Sequence, residues 1–492
     1  MASMDTIIKR LQNIMRGDDL SGTVQYLKQT IWMIFLKIYD AKEEIWEIKE
    51  DDYISIIPEE LKWRNWAVDN ADGEALTGDE LLNFVNNKLM PTLKNIVVDE
   101  NTPKRHLIVY NIFQDANNLM KNGTKLRQMI NALNEVDFTN YTDAHEFGDM
   151  YEAMLKDLQE SKRDGGEFYT PRVLTDFITE MVDPRLGETV ADFACGTGGF
   201  LVSALKHMQS KVETPEDVQI CRNSVFGIEK KSFPYSLGMT NLILHDVDEP
   251  RLYCGNSLTT NVRDYKDEDK FDVILMNPPY GAFEDAIIQT NFPAELRCSE
   301  TANLFMAVIM YRLKVNGRVG VVLPDGFFFG KEGAILNLKK KLFDEFNVHT
   351  IIRLPMGVFA PYTSITTNLI FFDNNQEGTK ETWFYRMDLP QGYRSFSKTK
   401  PIKPEHFEPV KQWWMNREDL VDANGLPKAK RYTYQELADR SFDIDLCGFI
   451  STTEEFQNPK AIVEEYLREK DANDAQIRSI LDQIKALLES DN

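Results

Sequence analysis

The sequence predicts an α/β protein built on an open sheet of about seven strands, preceded by a helical region and followed by a C-terminal helix. Three observations support this fold class. Residues 271–276 form an apolar, β-prone run that is typical of a buried strand. Residues 189–193 are predicted to form another strand, which runs through a glycine-rich turn into a helix. Residues 225–228 form a further apolar run that ends at Glu229.

Length and composition limit the class of protein. At 492 residues the chain is too long for one ordinary core, so about two or three domains are expected. The 42% hydrophobic and 11% aromatic content is that of a globular protein. Five scattered cysteines without a C-x-x-C pair argue against a disulfide framework and against a structural zinc site, and no metal site is predicted.

Targeting signals are not predicted either. The polar first residues lack the apolar core of a signal peptide, and the longest apolar stretch, residues 31–36, is too short to span a bilayer. We therefore expect a cytoplasmic protein without a membrane partner. The net charge of −22 would repel phosphates, so any nucleic-acid contact needs a local basic cleft or another subunit.

The amino-terminal region, residues 1–140, is predicted to be helical. Apolar residues recur at helical spacing in the first helix, and residues 24–45 are apolar over a wide face. A helix start is expected at residues 77–80. The region contains no catalytic constellation, which favours a scaffold or substrate-positioning role.

Residues 165–172 precede the glycine-rich turn. Thr170 is a natural helix N-cap, and Pro171 lies where a first helical turn tolerates proline. Taken alone, this segment indicates only a capped helix.

The glycine-rich turn, residues 194–199, provides tight backbone geometry and free N–H groups at a helix start. It lacks the G-x-G-x-x-G spacing of dinucleotide enzymes and the Gly-Lys-Ser/Thr of a P-loop. Glu229, at the end of the next strand, occupies the position where an acid accepts hydrogen bonds from ribose hydroxyls, although it could also be a surface glutamate beside Lys230 and Lys231.

The segment Asn-Pro-Pro-Tyr, residues 277–280, follows the strand at 271–276. Two prolines cannot continue a central strand, so the chain breaks sharply at the carboxyl edge of the sheet, where ligands bind in open α/β folds. The Asn277 amide and the Pro278 carbonyl can both accept hydrogen bonds from one amino group, and Tyr280 can stack on a flat ring. The set suits a planar substrate with an exocyclic amine, and the alternative is a proline-rich turn.

The remaining elements complete the sheet. Residues 317–324, 348–354 and 368–372 are strand-like. Residues 376–450 are expected to be an irregular extension. The tail, residues 451–492, carries an apolar helical stripe that could fold on its own core or dock on a partner's helices.

In the order of these motifs the chain resembles the modification (methyltransferase) subunit of type I restriction–modification systems, in the family of S-adenosylmethionine-dependent adenine-N6 DNA methyltransferases. The resemblance implies a Rossmann-like class I methyltransferase domain at residues 141–375, and it favours subunit docking for the tail. It implies S-adenosyl-L-methionine as cofactor. It implies DNA, a specificity subunit with two copies of this chain, and a restriction/translocase subunit as partners.

The resemblance also implies roles for individual residues. Asn277, Pro278 and Tyr280 would receive a flipped adenine, Glu229 would hold the ribose, and Asn256 stands where relatives often carry an aspartate that binds the cofactor's adenine amine. A second base-stacking aromatic is expected from Phe328, Phe359 or Phe372. The other expected cofactor residues lie before and within the glycine-rich turn: Glu167, Phe168, Tyr169, Thr170, Pro171, Arg172, Asp192, Gly196, Thr197, Gly198 and Gly199.

Other functions agree with these sequence motifs to different degrees. Cytosine C5 methylation needs a nucleophilic cysteine, usually after a proline, and no cysteine here follows one. Cytosine N4 methylation uses similar chemistry, although a serine more often opens that motif. Methylation of a protein glutamine also uses Asn-Pro-Pro-Tyr, but the large helical domain, the Tyr-Thr-Pro segment and the tail favour DNA. A cofactor-binding scaffold without activity is a further alternative, although the tetrapeptide it should have lost is intact.

Overall fold

A computed structural model describes residues 4–69, 75–139, 147–148, 151–156, 169–331, 333–446, 448, 470, 474 and 477–478. The chain divides into two compact units, Met1–Cys447 and Gly448–Asn492. In the second unit residues 470, 474, 477 and 478 are helical, and the rest of the tail expected to dock on a partner lies outside the described residues. The elements that follow belong to the first unit.

Helices make up the amino-terminal region. They are α1 (Met4–Arg16), α2 (Thr23–Lys49), α3 (Trp63–Trp66), α4 (Gly78–Phe84), α5 (Met90–Lys94), α6 (Lys104–Gln114) and α7 (Gly123–Asn134). One face of α1 is buried through Ile7, Leu11 and Met15, which recur at helical spacing. Along α2 the apolar run at 31–36 is buried on all sides, as expected for a central helix. No helix in the described part of the chain is long and apolar enough to cross a membrane.

Strands and helices alternate from residue 172 onward. The helices are α8 (Arg172–Val182), α9 (Gly199–Gln209), α10 (Pro215–Arg222), α11 (Ser232–Leu244), α12 (Ala286–Gln289), α13 (Thr301–Arg312), α14 (Asp325–Phe329), α15 (Gly333–Glu345), α16 (Glu408–Met415) and α17 (Tyr434–Asp439). The strands are β1 (Val190–Asp192), β2 (Val225–Glu229), β3 (Arg251–Cys254), β4 (Phe271–Met276), β5 (Leu313–Pro324), β6 (Asn347–Arg353), β7 (Thr367–Asp373), β8 (Glu381–Arg386), β9 (Leu420–Val421) and β10 (Pro427–Thr433).

Within the described residues these strands form one sheet in the order β3-β2-β1-β4-β5-β7-β6-β8-β10-β9. Strands β1 to β5 pair in parallel, with Val190 of β1 opposite Val225 of β2 and Val273 of β4. Strand β7 is antiparallel to both β5 and β6. The α/β class and the helical amino-terminal region are therefore confirmed.

Alternate residues of β4 enter different cores. Val273 and Leu275 belong to the buried cluster that continues into the amino-terminal helices, and Ile274 and Met276 belong to the cluster under α13 and α15. A strand covered on both faces needs apolar residues on both, which explains the run of four apolar residues, 273–276, that follows Asp272.

The sheet has ten strands where about seven were expected, and the three additional strands lie at residues 381–433. Strand β8 extends the sheet by pairing in parallel with β6, and β10 pairs with β8 in antiparallel orientation. The segment expected to be irregular thus carries regular structure. Strand β10 lies near the edge and is rich in charged side chains, so it lacks the apolar pattern that marks a buried strand.

Helix α11 is shared between the amino-terminal region and the sheet. On one side it packs against α2 and α6, and the Tyr235 hydroxyl accepts a hydrogen bond from Asn111 Nδ2 at 3.3 Å. On the other side it supports the glycine-rich turn, where Asn241 Nδ2 donates to the Thr197 carbonyl at 3.0 Å. A side chain at Gly238 would lie 3.0 Å from the backbone oxygen of Gly196, so this contact requires glycine.

Candidate active site

The carboxyl ends of β1, β2, β3 and β4 border a cavity of about 640 Å³. It lies at the edge where open α/β sheets bind ligands. Among the predicted site residues that the structure describes, the following line it: Tyr169, Thr170, Arg172, Asp192, Gly196, Thr197, Gly199, Glu229, Asn256, Asn277, Pro278 and Tyr280. Gly198 and Pro171 do not line it, and Glu167 and Phe168 lie outside the described residues. In the described part of the chain no group of three or more His, Cys, Asp or Glu residues could hold a metal ion.

Asn277 follows β4 directly, and its amide is held in one orientation. Its Nδ2 donates to the hydroxyl of Thr170 at 3.1 Å. Its Oδ1 is buried and has no hydrogen-bond partner among the described residues. A buried unpaired acceptor costs about 1–3 kcal/mol, so its persistence beside a cavity indicates a ligand donor.

The two prolines differ in their carbonyl partners. The Thr301 hydroxyl donates to the Pro279 carbonyl at 2.6 Å, which ties the turn to α13. No described residue donates to the Pro278 carbonyl, and Pro278 lines the cavity. The Pro278 oxygen and Asn277 Oδ1 are therefore two acceptors without donors at one edge of the sheet.

Aromatic rings surround this pair of acceptors. Tyr280, Phe305, Phe359 and Tyr362 all line the cavity. Burial, with a smaller contribution from Tyr362, raises the pKa of Tyr280 well above its ordinary value, so the phenol stays neutral.

Of the three residues expected to supply a second aromatic, Phe359 lines the cavity, whereas Phe328 and Phe372 are buried in the core. Tyr362 was missed by the sequence analysis, because it lies in the β6–β7 loop without any local pattern. Its side chain keeps 36% of its surface exposed.

The glycine-rich turn follows β1 and leads into α9. Gly198 has φ +76, a left-handed conformation that favours glycine. A Cβ at Gly199 would come within 2.0 Å of Arg172 Nη1, so a larger residue there would have to displace the guanidinium. The buried Asp192 carboxylate accepts from Ala194 N at 3.0 Å, yet burial raises its pKa to about 8, with a smaller contribution from Glu229.

Glu229 at the end of β2 connects the second strand to the turn. Its two carboxylate oxygens accept backbone N–H bonds from Gly196 at 2.9 Å and Lys231 at 2.8 Å. Burial raises its pKa, and these bonds oppose the shift. The residue is 7% exposed and faces the cavity, so it is a positioned acceptor and not a surface glutamate.

Arg172 opens α8 and is held by Glu152, a residue that the sequence analysis missed. Its Nε and Nη2 both donate to the Glu152 carboxylate, the latter at 3.3 Å. Nη2 also donates to the Thr197 hydroxyl at 3.1 Å. The guanidinium lies 4.7 Å from the ring centroid of Tyr169. Arg172 thus links the segment before α8 to the glycine-rich turn.

Asn256 follows β3, and its amide oxygen accepts the backbone N–H of Leu258 at 3.0 Å. Its Nδ2 lies 3.4 Å from the carboxylate of Glu284, which also receives Lys230 Nζ at 2.7 Å. Glu284 lines the same cavity and was missed, because it comes four residues after the tetrapeptide in an irregular loop.

Two family models and several known proteins match this chain. The family model for N-6 DNA methylases matches residues 142–458, and the model for the HsdM N-terminal domain matches residues 4–133. The chain is 45% identical over 448 residues to the type I restriction enzyme EcoEI methylase subunit of Escherichia coli, covering 90% of each chain.

Two solved structures are also similar. A modification subunit of a putative type I restriction enzyme from Vibrio vulnificus matches with a TM-score of 0.75 and 37% identity, covering 88% of this chain and 93% of that chain. A chain from a structure of a type I R-M system, described in terms of complex assembly and conformational transition, matches with a TM-score of 0.83 and 36% identity, covering 100% and 99%.

Proposed function

This chain belongs to the N-6 DNA methylase family as a type I restriction enzyme methylase subunit, a DNA adenine-N6 methyltransferase, and from that premise we propose how its cavity performs methyl transfer. The cofactor we propose is S-adenosyl-L-methionine, and the target is an adenine flipped out of duplex DNA. The observation that carries the proposal is the buried, unpaired Oδ1 of Asn277 beside the cavity.

The cavity fits this cofactor. The glycine-rich turn lines the cavity, and the start of α9 would offer free N–H groups to the methionine part of the cofactor. Glu229 would hold the ribose hydroxyls, since an acid at the end of the second strand commonly does so. Tyr169, Thr170 and Arg172 would border the methionine part. When bound, the cofactor supplies an activated methyl group on a sulfonium.

Asn277 and Pro278 would orient the nucleophile. An adenine amine has two hydrogens, and the two unpaired oxygens at this edge can accept both. Accepting both favours a pyramidal nitrogen whose lone pair points at the methyl group. Thr170 prevents the Asn277 amide from rotating, so the oxygen stays toward the substrate. Positioning carries most of the catalysis, and no covalent enzyme intermediate is needed.

Tyr280 would stack on the flipped base. Extruding a base costs a few kcal/mol, and one aromatic contact returns about 1–3 kcal/mol. Tyr362 and Phe359 border the same space, and we assign the second aromatic surface to this pair.

The partners of this chain are inferred from its net charge and from its family. We propose that the chain acts in the cytoplasm with a specificity subunit, two copies of this chain per specificity subunit, and a restriction/translocase subunit. The net charge of −22 supports a division of labour in which the specificity subunit supplies most phosphate contacts. Alone, the chain should bind cofactor but hardly any duplex at physiological salt.

Tritiated methyl transfer to unmethylated genomic DNA tests the proposal. We expect label in N6-methyladenine when the chain is combined with the specificity subunit encoded beside it, and loss of label with Asn277→Ala. Asn337→Ala is the matched control, because that asparagine is exposed on α15 outside the cavity. Label in protein or in cytosine would overturn the substrate, and full activity of Asn277→Ala would overturn the mechanism.

A further inference from the structure

The order of strands assigns each part of the cavity to one part of the cofactor. From one side to the other, β4, β1, β2 and β3 are adjacent and parallel. Adjacent strands lie about 4.8 Å apart, so the ends of β4 and β3 are separated by roughly 14 Å. With the methyl group at Asn277 and the ribose at Glu229, the cofactor's purine lies at the end of β3, beside Asn256. This placement rests on the proposed function.

At that end the amide oxygen of Asn256 already accepts the Leu258 N–H at 3.0 Å. Its Nδ2 lies 3.4 Å from the Glu284 carboxylate. A purine amine needs an acceptor, and a carboxylate is a stronger acceptor than a neutral amide oxygen that already receives one hydrogen bond. The carboxylate that fulfils this need comes from Glu284.

Glu284 is held by its backbone. Its N–H donates to the Ser299 carbonyl at 2.9 Å, and its carbonyl accepts from Gln289 Nε2 at 3.0 Å. The preceding residue, Phe283, pairs with Glu300 in an isolated antiparallel bridge. The side chain of Glu284 is only 9% exposed. The carboxylate is therefore a fixed feature of the cavity wall.

Lys230 is a second side chain that contacts the Glu284 carboxylate, besides Asn256. Its Nζ contacts the Glu284 carboxylate at 2.7 Å, while 58% of its own side chain is exposed. An exposed lysine balances the carboxylate from the solvent side and leaves the second carboxylate oxygen to a ligand.

We propose that Glu284 is the residue that selects the cofactor's base: its carboxylate accepts a hydrogen bond from the 6-amino group of adenine, and Asn256 Nδ2 donates to a neighbouring ring nitrogen. A 6-oxo purine would turn an acceptor toward the carboxylate, and like-charged lone pairs repel. Glu284 thus performs the function that the sequence analysis assigned to Asn256.

Binding of two homocysteine analogues tests the inference by isothermal titration calorimetry. A hydrogen bond to a charged group contributes about 1.5–3 kcal/mol, so wild type should bind S-adenosyl-L-homocysteine about 10- to 150-fold more tightly than S-inosyl-L-homocysteine. Glu284→Gln should reduce this ratio and strengthen binding of the inosyl compound, because its amide can donate to a 6-oxo group. Asp285→Asn, the same charge change one residue along at an exposed position outside the cavity, should keep the wild-type ratio.

The outcomes separate the two proposals. If wild type binds neither compound, the proposed cofactor is wrong. If wild type binds both equally, the inference about Glu284 is wrong whatever the variants do. If wild type discriminates and folded Glu284→Gln discriminates equally well, the selecting residue lies elsewhere and the inference is also wrong. Stronger binding of the inosyl compound by Glu284→Gln cannot come from misfolding.

Discussion

Replacing Glu152 by glutamine removes the counter-charge of Arg172 and keeps the shape of the side chain. The side chains of Arg172 and Glu152 are only 18% and 12% exposed. The other contacts of the guanidinium among the described residues are neutral groups: the Thr197 hydroxyl, the Thr170 carbonyl and the ring of Tyr169. The variant therefore leaves a positive charge inside the protein without a carboxylate in hydrogen-bond contact, although Asp176 still acts on it electrostatically.

The expected cost follows from these contacts. Breaking a buried ion pair by removing one partner costs about 3–5 kcal/mol, and we expect about 3 kcal/mol because glutamine keeps one acceptor oxygen. Burial alone would raise the pKa of Glu152, but the charge and hydrogen bonds of Arg172 outweigh it and lower the pKa below the ordinary 4.5. This stabilisation is present above pH 4.5 and is lost as pH falls through the lowered pKa, and Glu152→Gln should lack that dependence.

Urea unfolding followed by tryptophan fluorescence measures the free energy. Glu152→Gln, Arg172→Met and the double variant form a cycle, and the double variant should be more stable than the two single losses added together. Glu180→Gln is the control on the same helix, since its pair with Lys411 is 48% exposed on the glutamate and should contribute less than about 1 kcal/mol. An unfolding free energy for Glu152→Gln within about 0.5 kcal/mol of wild type would refute the reasoning.

Three further predictions address the cavity itself. Folded Asp192 keeps its proton between its ordinary pKa of 3.8 and about 8, whereas the unfolded chain loses it, so the free energy of unfolding should fall as pH rises through that window. In urea titrations at about pH 5 and about pH 8, Asp192→Asn should show a smaller difference in unfolding free energy than wild type does. An unchanged difference would contradict the raised pKa of Asp192. Tyr280→Phe should keep methylation, whereas Tyr280→Ala should lower kcat/KM about 5- to 150-fold through lost stacking; equal losses in both would mean that the hydroxyl matters instead. Gly199→Ala, whose Cβ would meet Arg172 at 2.0 Å, should destabilise the protein by about 1–3 kcal/mol. Gly255→Ala, whose Cβ would have no neighbour within 4 Å, should leave stability unchanged. Equal melting temperatures of the two variants would count against the close contact at Gly199.

Features that depend on a run of consecutive residues could be predicted from the sequence. Strand β4 is apolar from Val273 to Met276 because helices cover both faces of the sheet, and the two prolines after Asn277 end the strand. The glycine-rich turn was found for the same reason, since its backbone geometry restricts the residue types at each position.

Features created by contacts between distant segments could not be predicted. Glu152 lies 20 residues before Arg172, and no local pattern distinguishes it from a surface glutamate. Glu284 acquires its place from Lys230, 54 residues away, and from Asn256. Strand β10 was missed for a different reason, because a strand near the edge of the sheet satisfies its backbone hydrogen bonds without burying many side chains.

The sharing of α11 between the amino-terminal helices and the glycine-rich turn has a consequence for how the protein melts. The buried cluster is continuous between the amino-terminal helices and the sheet, from Ile7 of α1 to Ala429 of β10. Helices α2 and α6 and the sheet therefore form one cooperative unit, and denaturant should unfold both in a single transition. A proteolytic fragment that ends near residue 140 would expose the apolar surface that packs on α11, and we expect it to aggregate. In the intact chain α11 covers that surface.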